Sequence, residues 1–424
     1  KGVRYNCFAD KIRRTPMDII PSSTTSFEQF VVDYIKDLKI SGLSELAKVL
    51  ERIDRSLASQ RPKYLRIIKL KPRSILTSIG MLSFKRRYYY DEINHCYLYL
   101  LDAFLAIPKR NKLMHDVKIK LIEAASEMSY AKAGRYGSSE DYPVSKSTVY
   151  RLIRDSEYII EDRYALLNNE AAIHVQLDEK FVHVKENKHK KKLYTCTIFK
   201  GIRHHGEKRV LQNRTLLANV NLSLLLKRLN LVLKDKYKVS LDDEVYISGD
   251  LASYIQHAPD KIRVCKARYV PDKYHIKAAL KKSLGLVASD EELNDKDYQE
   301  TLIKALEGLA CDNDARKIKT MLKRNPQCLK VYLNADYEGC SQECMNSHYY
   351  CPRFDKIPNV FRLKTLDRLA DVINARENGY RLKLGFKRDL YDLPNFELGG
   401  LIIEKGRYDI DKTEMGYRTR KLFN

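Results

Sequence analysis

The chain has 424 residues, 44 % of them hydrophobic, which is enough for a sizeable core and for roughly two to four domains. Charged residues make up 31 %, and no apolar run reaches the ~18 residues of a membrane-spanning helix. A formal net charge of +23 points to a polyanionic partner, nucleic acid first.

The charge is clustered rather than mixed. Arg61–Arg87 holds nine Lys or Arg and no acid; Lys180–Arg214 holds eleven against Glu186 and Glu207; Lys261–Lys282 holds eight against Asp272. The nine cysteines are odd in number and irregularly spaced. With no basic-apolar-cleavage pattern at the start, they predict free thiols in a reducing cytosol.

In chain order, residues 1–26 show no period and read as a flexible lead-in. Phe27, Phe30, Val31, Tyr34, Ile35 and Leu38 recur at three and four, predicting a helix that Gly42 breaks before Leu43 starts another, to about residue 59. Residues 64–104 read as β-rich: a run from Leu65 to Leu70, a long run from Ile75 to Tyr90, a turn at Asp91–Asn94, and a run from Cys96 to Leu101. Basic and aromatic residues interleave there, Arg86 and Arg87 among them, as phosphate contacts and base stacking require.

Residues 116–156 read as a helix-turn-helix. Its recognition helix starts after a Ser145 cap, is anchored by Val149 and Ile153, and presents Lys146, Ser147, Tyr150, Arg151 and Arg154 to DNA. A three-helix bundle without a DNA role is the bland alternative. Beyond it the pattern turns to strands at 172–184, 192–201 and 209–220, a helix at 221–236 and a strand at 244–249. This β-β-β-α-β order matches the start of an RNase H-like fold. Cys265–Tyr269 could be the next strand; residues 272–326 read as helical, with further helices from about 341 and over 358–378.

The predicted fold class is therefore mixed α/β. Its parts are a helical region at 1–62, a β-rich basic segment at 63–110, a helix-turn-helix at 111–165, a catalytic domain at 166–284 and 336–380, a helical insertion at 285–335 and an extension at 381–424. The insertion accounts for the interval from Asp250 to Glu343, longer than one strand and one helix require.

Three carboxylates stand out in this basic chain. Asp178 lies on the strand face opposite Ile173, Val175 and Leu177; Asp250 follows Gly249 at a strand end; Glu343 opens a helix after Gly339-Cys340-Ser341. Phosphodiester chemistry needs an activated nucleophile and a neutralised leaving oxygen, which two Mg²⁺ ions held by carboxylates on rigid elements can supply. Fifty-five acids occur in the chain, so pattern alone does not single out these three from neighbours such as Asp336 and Glu338. Cys340, Cys344, His348 and Cys351 invite a zinc reading, but one straight helix cannot wrap four ligands around a tetrahedral ion, so buried thiols are expected. His204-His205 with His183 is a weaker zinc set still.

Six segments in order resemble the bacterial insertion-sequence transposases of the ISLre type, relatives of the Mutator-like group. They are Leu76–Tyr90 with Tyr99-Leu100-Leu101-Asp102; Ala124–Gly134; Leu177-Asp178-Glu179; Ser248-Gly249-Asp250-Leu251-Ala252-Ser253-Tyr254-Ile255; Val270-Pro271-Asp272-Lys273-Tyr274-His275; and Gly339-Cys340-Ser341-Gln342-Glu343 with Ser347-His348. Leu251 departs from the family's usual Gly and Tyr254 from its Trp, and residues from 352 on match poorly. The resemblance implies an RNase H-like DDE transposase in which Asp178, Asp250 and Glu343 are the catalytic metal ligands for Mg²⁺ or Mn²⁺, two ions in all. It implies that Lys273 and His275 contact DNA, that the partners are double-stranded transposon ends and target, and that the protein acts as a homodimer or higher oligomer on the bacterial nucleoid. On residues alone His275 reads equally as a structural histidine. A structure-specific nuclease on the same fold and a non-catalytic DNA-binding regulator are the competing readings.

Overall fold

A computed structural model describes residues 26–138, 141–155, 157–161, 172–186, 189–206, 208–309, 312–325, 327–333, 339–356, 360–385, 391, 396–398 and 401–403. The expected lead-in, most of the extension from 381, and Asp336 and Glu338 lie outside these residues. The architecture is mixed α/β and divides into two compact units, Lys1–Val117 with Ser139–Tyr142 and Lys387–Asp411, and Lys118–Ser138 with Pro143–Phe386 and Lys412–Asn424. Among the described residues no helix is long and apolar enough to cross a membrane.

The first unit opens with α1 (Phe27–Ser59), capped by Ser26, whose side chain accepts from the Gln29 amide. Gly42 does not break it. A helical glycine costs only about 1 kcal/mol, and Leu43, Ala47, Leu50 and Ile53 beyond it pack on the unit's core, so one rod satisfies both arms. An antiparallel sheet follows, β1 (Leu65–Thr77), β2 (Gly80–Asp91) and β3 (Cys96–Leu98), then α2 (Leu100–Phe104). The run expected over 75–90 is thus two strands. Gly80, at φ 139°, turns the chain, and Thr77 Oγ1 donates to its carbonyl at 2.8 Å.

Arg86 and Arg87, expected at a DNA surface, are built into this unit instead. Arg86 is 3 % exposed, its Nε 2.9 Å from Asp102 Oδ1 and its guanidinium 3.6 Å from the Tyr99 ring centre. Arg87 Nη1 lies 2.6 Å from Asp54 Oδ2 on α1. Burial lowers the Arg86 pKa and pushes Asp102 up to about 6, while their mutual attraction opposes both shifts.

The boundary between the units falls inside α3 (His115–Glu127), which is followed by α4 (Tyr130–Tyr136) and α5 (Lys146–Asp155). Val149 and Ile153 are fully buried, and Ser145 Oγ accepts from the Thr148 amide at 3.3 Å. Gly134 is required by contact: a Cβ there would lie 2.0 Å from the Val144 carbonyl, which the chain brings close through the Val144 N–H to Gly134 O bond.

The rest of the second unit is built on a sheet of β5 (Ile173–Val182), β6 (Lys191–Lys200), β9 (Thr215–Asn219), β10 (Glu244–Gly249) and β11 (Lys266–Pro271). The order is β9-β6-β5-β10-β11, antiparallel from β9 to β5 and parallel from β5 to β11. The strand expected over 209–220 is split. Before β9 stands a separate ribbon, β7 (Ile202–His205) with β8 (Lys208–Leu211). Before the sheet, β4 (Glu157–Glu161) pairs with a late strand, β12 (Arg381–Gly385).

Ile173, Val175 and Leu177 join one core with Leu225, Leu229 and Leu233 of α6 (Leu222–Asp235). After β10 come α7 (Ser253–Gln256) and, beyond β11, α8 (Lys273–Leu284), α9 (Asp290–Asn294), α10 (Lys296–Glu307) and α11 (Asn313–Arg324). Helices α9 to α11 fall within the residues expected as an insertion, and Leu293, Leu302, Leu306, Ile318 and Met321 share one core with the sheet, Ile276 and Leu280 rather than forming a core of their own. The next helical run is α12 (Gln342–Met345), a π-turn at Asn346–Tyr350 and α13 (Cys351–Phe354), followed by α14 (Leu363–Glu377). Asn378 closes edge strand β9 by accepting from the Leu216 amide at 2.7 Å and donating to its carbonyl at 2.9 Å. A last pair, β13 (Phe396–Leu398) and β14 (Leu401–Ile403), belongs to the first unit.

Breaking a buried ion pair by removing one partner costs about 3–5 kcal/mol, whereas replacing both with apolar residues is close to neutral. Arg86→Ala is therefore expected to lose that much stability, read as a lower urea midpoint at unchanged slope, and Arg86→Met with Asp102→Leu to recover most of it. An unchanged midpoint for Arg86→Ala would return this side chain to the candidates for DNA contact.

Candidate active site

Asp178 sits within β5, Asp250 follows the last residue of β10 and Asp272 the last of β11. Ser248 is level with Gln176 and Gly249 with Pro271, so the three carboxylates fall on one level across three adjacent strands. This is the carboxyl end of the parallel part of the sheet, where open α/β sheets place their ligands. Gly249 permits the approach. A Cβ there would lie 2.5 Å from the Leu177 carbonyl and 2.8 Å from Ile255 Cδ1.

Each carboxylate is held differently. Asp178 Oδ1 accepts from the Glu179 amide and Oδ2 from Asn346 Nδ2, both at 2.7 Å. Asp250 Oδ1 accepts from the Ala252 amide at 2.8 Å, a turn that fixes the residue after β10. Asp272 caps α8 through the Tyr274 amide and takes the His275 Nδ1–H at 2.7 Å. Glu343, the first-turn acid of α12, lies 3.5 Å from His275 Nε2 with 79 % of its side chain exposed. The segment that carries it is pinned by Gln176. That side chain donates to the Gly339 carbonyl at 3.2 Å and accepts from the Ser341 amide and hydroxyl at 3.1 and 3.0 Å. Gly339 makes the bend at φ 84°.

Asp178, Asp250, Asp272, His275 and Glu343 thus line one cleft of about 480 Å³. Burial first, and then the negative charges of Asp250 and Glu343, push the Asp178 carboxyl up to about 6. The hydrogen bond to Asp272, helped by the charges of Asp272, Glu343 and Asp250, raises the His275 imidazole. Among the described residues neither Asp178 nor Asp250 forms an ion pair, and four carboxylates line the cleft against one guanidinium, Arg209. Its donors are hard oxygens, which fit Mg²⁺ or Mn²⁺. No three His, Cys, Asp or Glu side chains among the described residues lie close enough for one ion. Asp178 and Asp250 form the inner pair and Glu343 is turned to His275.

The zinc reading has no support in the described residues. The π-turn breaks the even spacing of the cysteines, and Cys340 precedes the helix as a thiol pushed up to about 12 by burial. Cys344, expected to be buried, is exposed.

The remaining sequence-derived residues separate. Lys146, Ser147, Tyr150 and Arg151 line a groove of about 380 Å³ with Ser129, Tyr130 and Ala131, between α4 and α5. Arg154 turns to Asp155, with Nη2 and Oδ2 2.6 Å apart. Lys273 is ion-paired with Asp290, which Lys277 shares at 2.8 Å. Sequence reasoning missed Gln176 and Asn346. The signal was there: Gln176 shares a strand face with Asp178, two residues on, and Asn346 follows Glu343 by three, one helical turn.

Residues 23–387 match the Uncharacterised protein family (UPF0236). Similar proteins occur in Caldanaerobacter subterraneus subsp. tengcongensis. One UPF0236 protein is 25 % identical over 403 residues, covering 86 % of this chain and 85 % of its own length. A second is 26 % identical over 361 residues, covering 81 % and 77 %. A third is 24 % identical over 405 residues, covering 86 % and 85 %, and its name joins eleven designations where that of the first joins four. With the match spanning most of its length, the chain belongs to the UPF0236 family.

Proposed function

We propose that the chain is a DNA transposase with an RNase H-like catalytic core, in which Asp178, Asp250 and Glu343 form the catalytic triad. One observation carries the reading: three carboxylates from distant parts of a strongly basic chain line a single cleft. The sheet around them supports it, since three antiparallel strands, a helix and two parallel strands are the arrangement expected of an RNase H-like core. The relatives support it from another side. A protein named from eleven designations in one genome is what an element that copies or moves itself leaves behind.

In the reaction proposed, water attacks the phosphorus at an element end and the 3′ oxygen leaves as a hydroxyl. That 3′-hydroxyl then attacks a phosphodiester of the target, whose own 3′ oxygen departs. Asp178 and Asp250 would hold the divalent ions, with Glu343 joining from α12. Bound there, such ions neutralise charge on the transferring phosphoryl group and lower the pKa of water. Asp272 fixes the His275 ring, and His275 steadies Glu343 at the mouth of the cleft. The α4–α5 groove offers Lys146, Ser147, Tyr150 and Arg151 to duplex DNA. Holding two ends at once asks for a dimer or larger assembly.

Asp178→Asn, Asp250→Asn and Glu343→Gln should each reduce Mg²⁺-dependent cleavage and joining of labelled element ends by more than about a hundredfold, beyond the loss typical of residues that only support a metal ligand. Full joining by any of the three removes the proposed triad. Cutting without joining leaves a nuclease instead. DNA binding with neither product, even in the unaltered chain, leaves a regulator.

A second test reads stability alone. A folded-state pKa near 6 against 3.8 unfolded means that ionising Asp178 costs stability. The stability is full below about pH 4 and lost as pH rises to 6, by on the order of 3 kcal/mol. Asp178→Asn should therefore melt higher than the native chain at pH 8, with the advantage shrinking toward pH 4. Mg²⁺ should raise the melting temperature of the native chain and leave that of Asp178→Asn unmoved. Equal Mg²⁺ responses would contradict metal binding at Asp178.

A further inference from the structure

We propose that the β7–β8 ribbon is a substrate arm of the cleft, with Arg209 gripping the phosphate that the carboxylates act on; this rests on the polynucleotide reading above. The ribbon interrupts the chain between sheet strands β6 and β9 and turns at Gly206. In its register Ile202 is paired with Leu211 and His204 with Arg209. Directly paired residues share a face, so these four lie on one side and Arg203 and Val210 on the other. The side that includes Ile202, Leu211 and Arg209 forms a wall of the carboxylate cleft. The apolar pair sits at its base, half-buried, and Arg209 stands one step further out, exposed.

The charge pattern assigns the role. Among the described residues lining the cleft, Arg209 is the sole Lys or Arg, facing Asp178, Asp250, Asp272 and Glu343. A phosphodiester entering a cleft with four carboxylates is repelled by each of them, and Arg209 is the permanent positive charge in the lining. A guanidinium presents parallel N–H donors that match two phosphate oxygens, and it stays charged at any working pH. Arg203, exposed on the opposite face of the ribbon, adds a second guanidinium to the arm. A two-stranded ribbon is also of a size to lie in a DNA groove. Sequence reasoning passed over the segment because it read residues 209–220 as one strand of the sheet, which would have buried alternate side chains of 209–211 instead of lifting them over the site.

A double-mutant cycle on binding tests this. Labelled duplexes tiled across the DNA flanking the coding sequence locate the bound and cut site. The full chain and Arg209→Ala are then each titrated with that duplex and with one carrying a neutral methylphosphonate at the cut phosphate. Arg209→Ala should weaken binding of the ordinary duplex by between about tenfold and a hundredfold, the scale of a charge-assisted hydrogen bond. The methylphosphonate should weaken the native chain similarly and Arg209→Ala no further. Arg209→Lys, which keeps the charge without the fork, should recover part of the loss. Additive penalties would place Arg209 away from that phosphate and overturn the proposal. Unchanged DNA affinity with a larger Mg²⁺-induced rise in melting temperature for Arg209→Ala would make it a counter-ion to the carboxylates, which also overturns it. In both of those outcomes the transposase reading stands. A native chain that binds none of the duplexes takes down that reading and the arm with it.

Discussion

The close approach of β10 to β5 is the constraint on which the site depends. Gly249 lies against the Leu177 carbonyl with no room for a Cβ, and the residues that follow each of them are Asp250 and Asp178. The contact that demands glycine is thus the contact that sets two carboxylates side by side. It extends to the next strand, since the Asp272 amide donates to the Gly249 carbonyl at 2.7 Å. Burial is the first reason that the Asp178 pKa is raised, and like charges brought together by backbone packing, unable to move apart, add to it. Stability and function therefore pull in opposite directions at this one strand.

The basic charge of the chain divides into two populations. One is internal. Besides Arg86 and Arg87, Arg353 is 1 % exposed and its Nε donates to the Ala125 carbonyl in the last turn of α3, at 2.7 Å. Arg368 Nη1 donates to the Ile153 carbonyl near the end of α5 at 2.9 Å. Arginines at helix C-termini satisfy carbonyls that have no partner within the helix and meet the negative end of its dipole. Here they do more, because they tie α3 and α5 to α13 and α14 of the unit that holds the cleft. Buried charge-assisted bonds thus fasten the ends of α3 and α5, which flank the groove-forming α4, to the helices that follow the cleft. The other population is external and faces solvent in the groove and along the β7–β8 ribbon. Net charge counts both alike, so +23 overstates the surface available to a polyanion.

What the sequence made legible follows from where local pattern and tertiary packing agree. The strand at 244–249 and the helix over 222–235 fall at or within a residue of expectation because alternation or a leucine stripe there meets a single core face. The Ser145 cap and the Val149 and Ile153 anchors were readable for the same reason. The failures share a cause too. Gly42 and the run over 75–90 were judged by local rules, whereas packing beyond Gly42 keeps the helix whole and a Gly80 turn folds the run in two. Arg86 and Arg87 were read as surface because their partners, Asp102 and Asp54, are distant in sequence and one-dimensional charge counting does not see them. The cysteine spacing presumed a regular helix that the π-turn at Asn346–Tyr350 interrupts.

Glu343 shows how a third carboxylate is placed without a strand to fix it. The sheet sets Asp178 and Asp250 through their backbone, but Glu343 rides on a short helix whose approach depends on side chains. Gln176 grips both sides of the bend before it, and Gln342, next to Glu343, donates to Thr195 Oγ1 at 3.2 Å. Thr195 in turn donates to the carbonyl of Asp178 at 3.1 Å. β5 therefore contributes a carboxylate with one residue and positions the partner carboxylate with another two places earlier. Asn346 completes the circuit by returning from the same helical run to Asp178 Oδ2. The widened π-turn begins at Asn346, and winding by an extra residue there is a local departure of the kind that recurs at functional sites. Two carboxylates are held by backbone and one by hydrogen-bonded side chains, so the cleft combines a rigid floor with an adjustable wall. The transposase proposed above would be served by that division, since its site must take a phosphodiester, release one strand end and accept a second substrate.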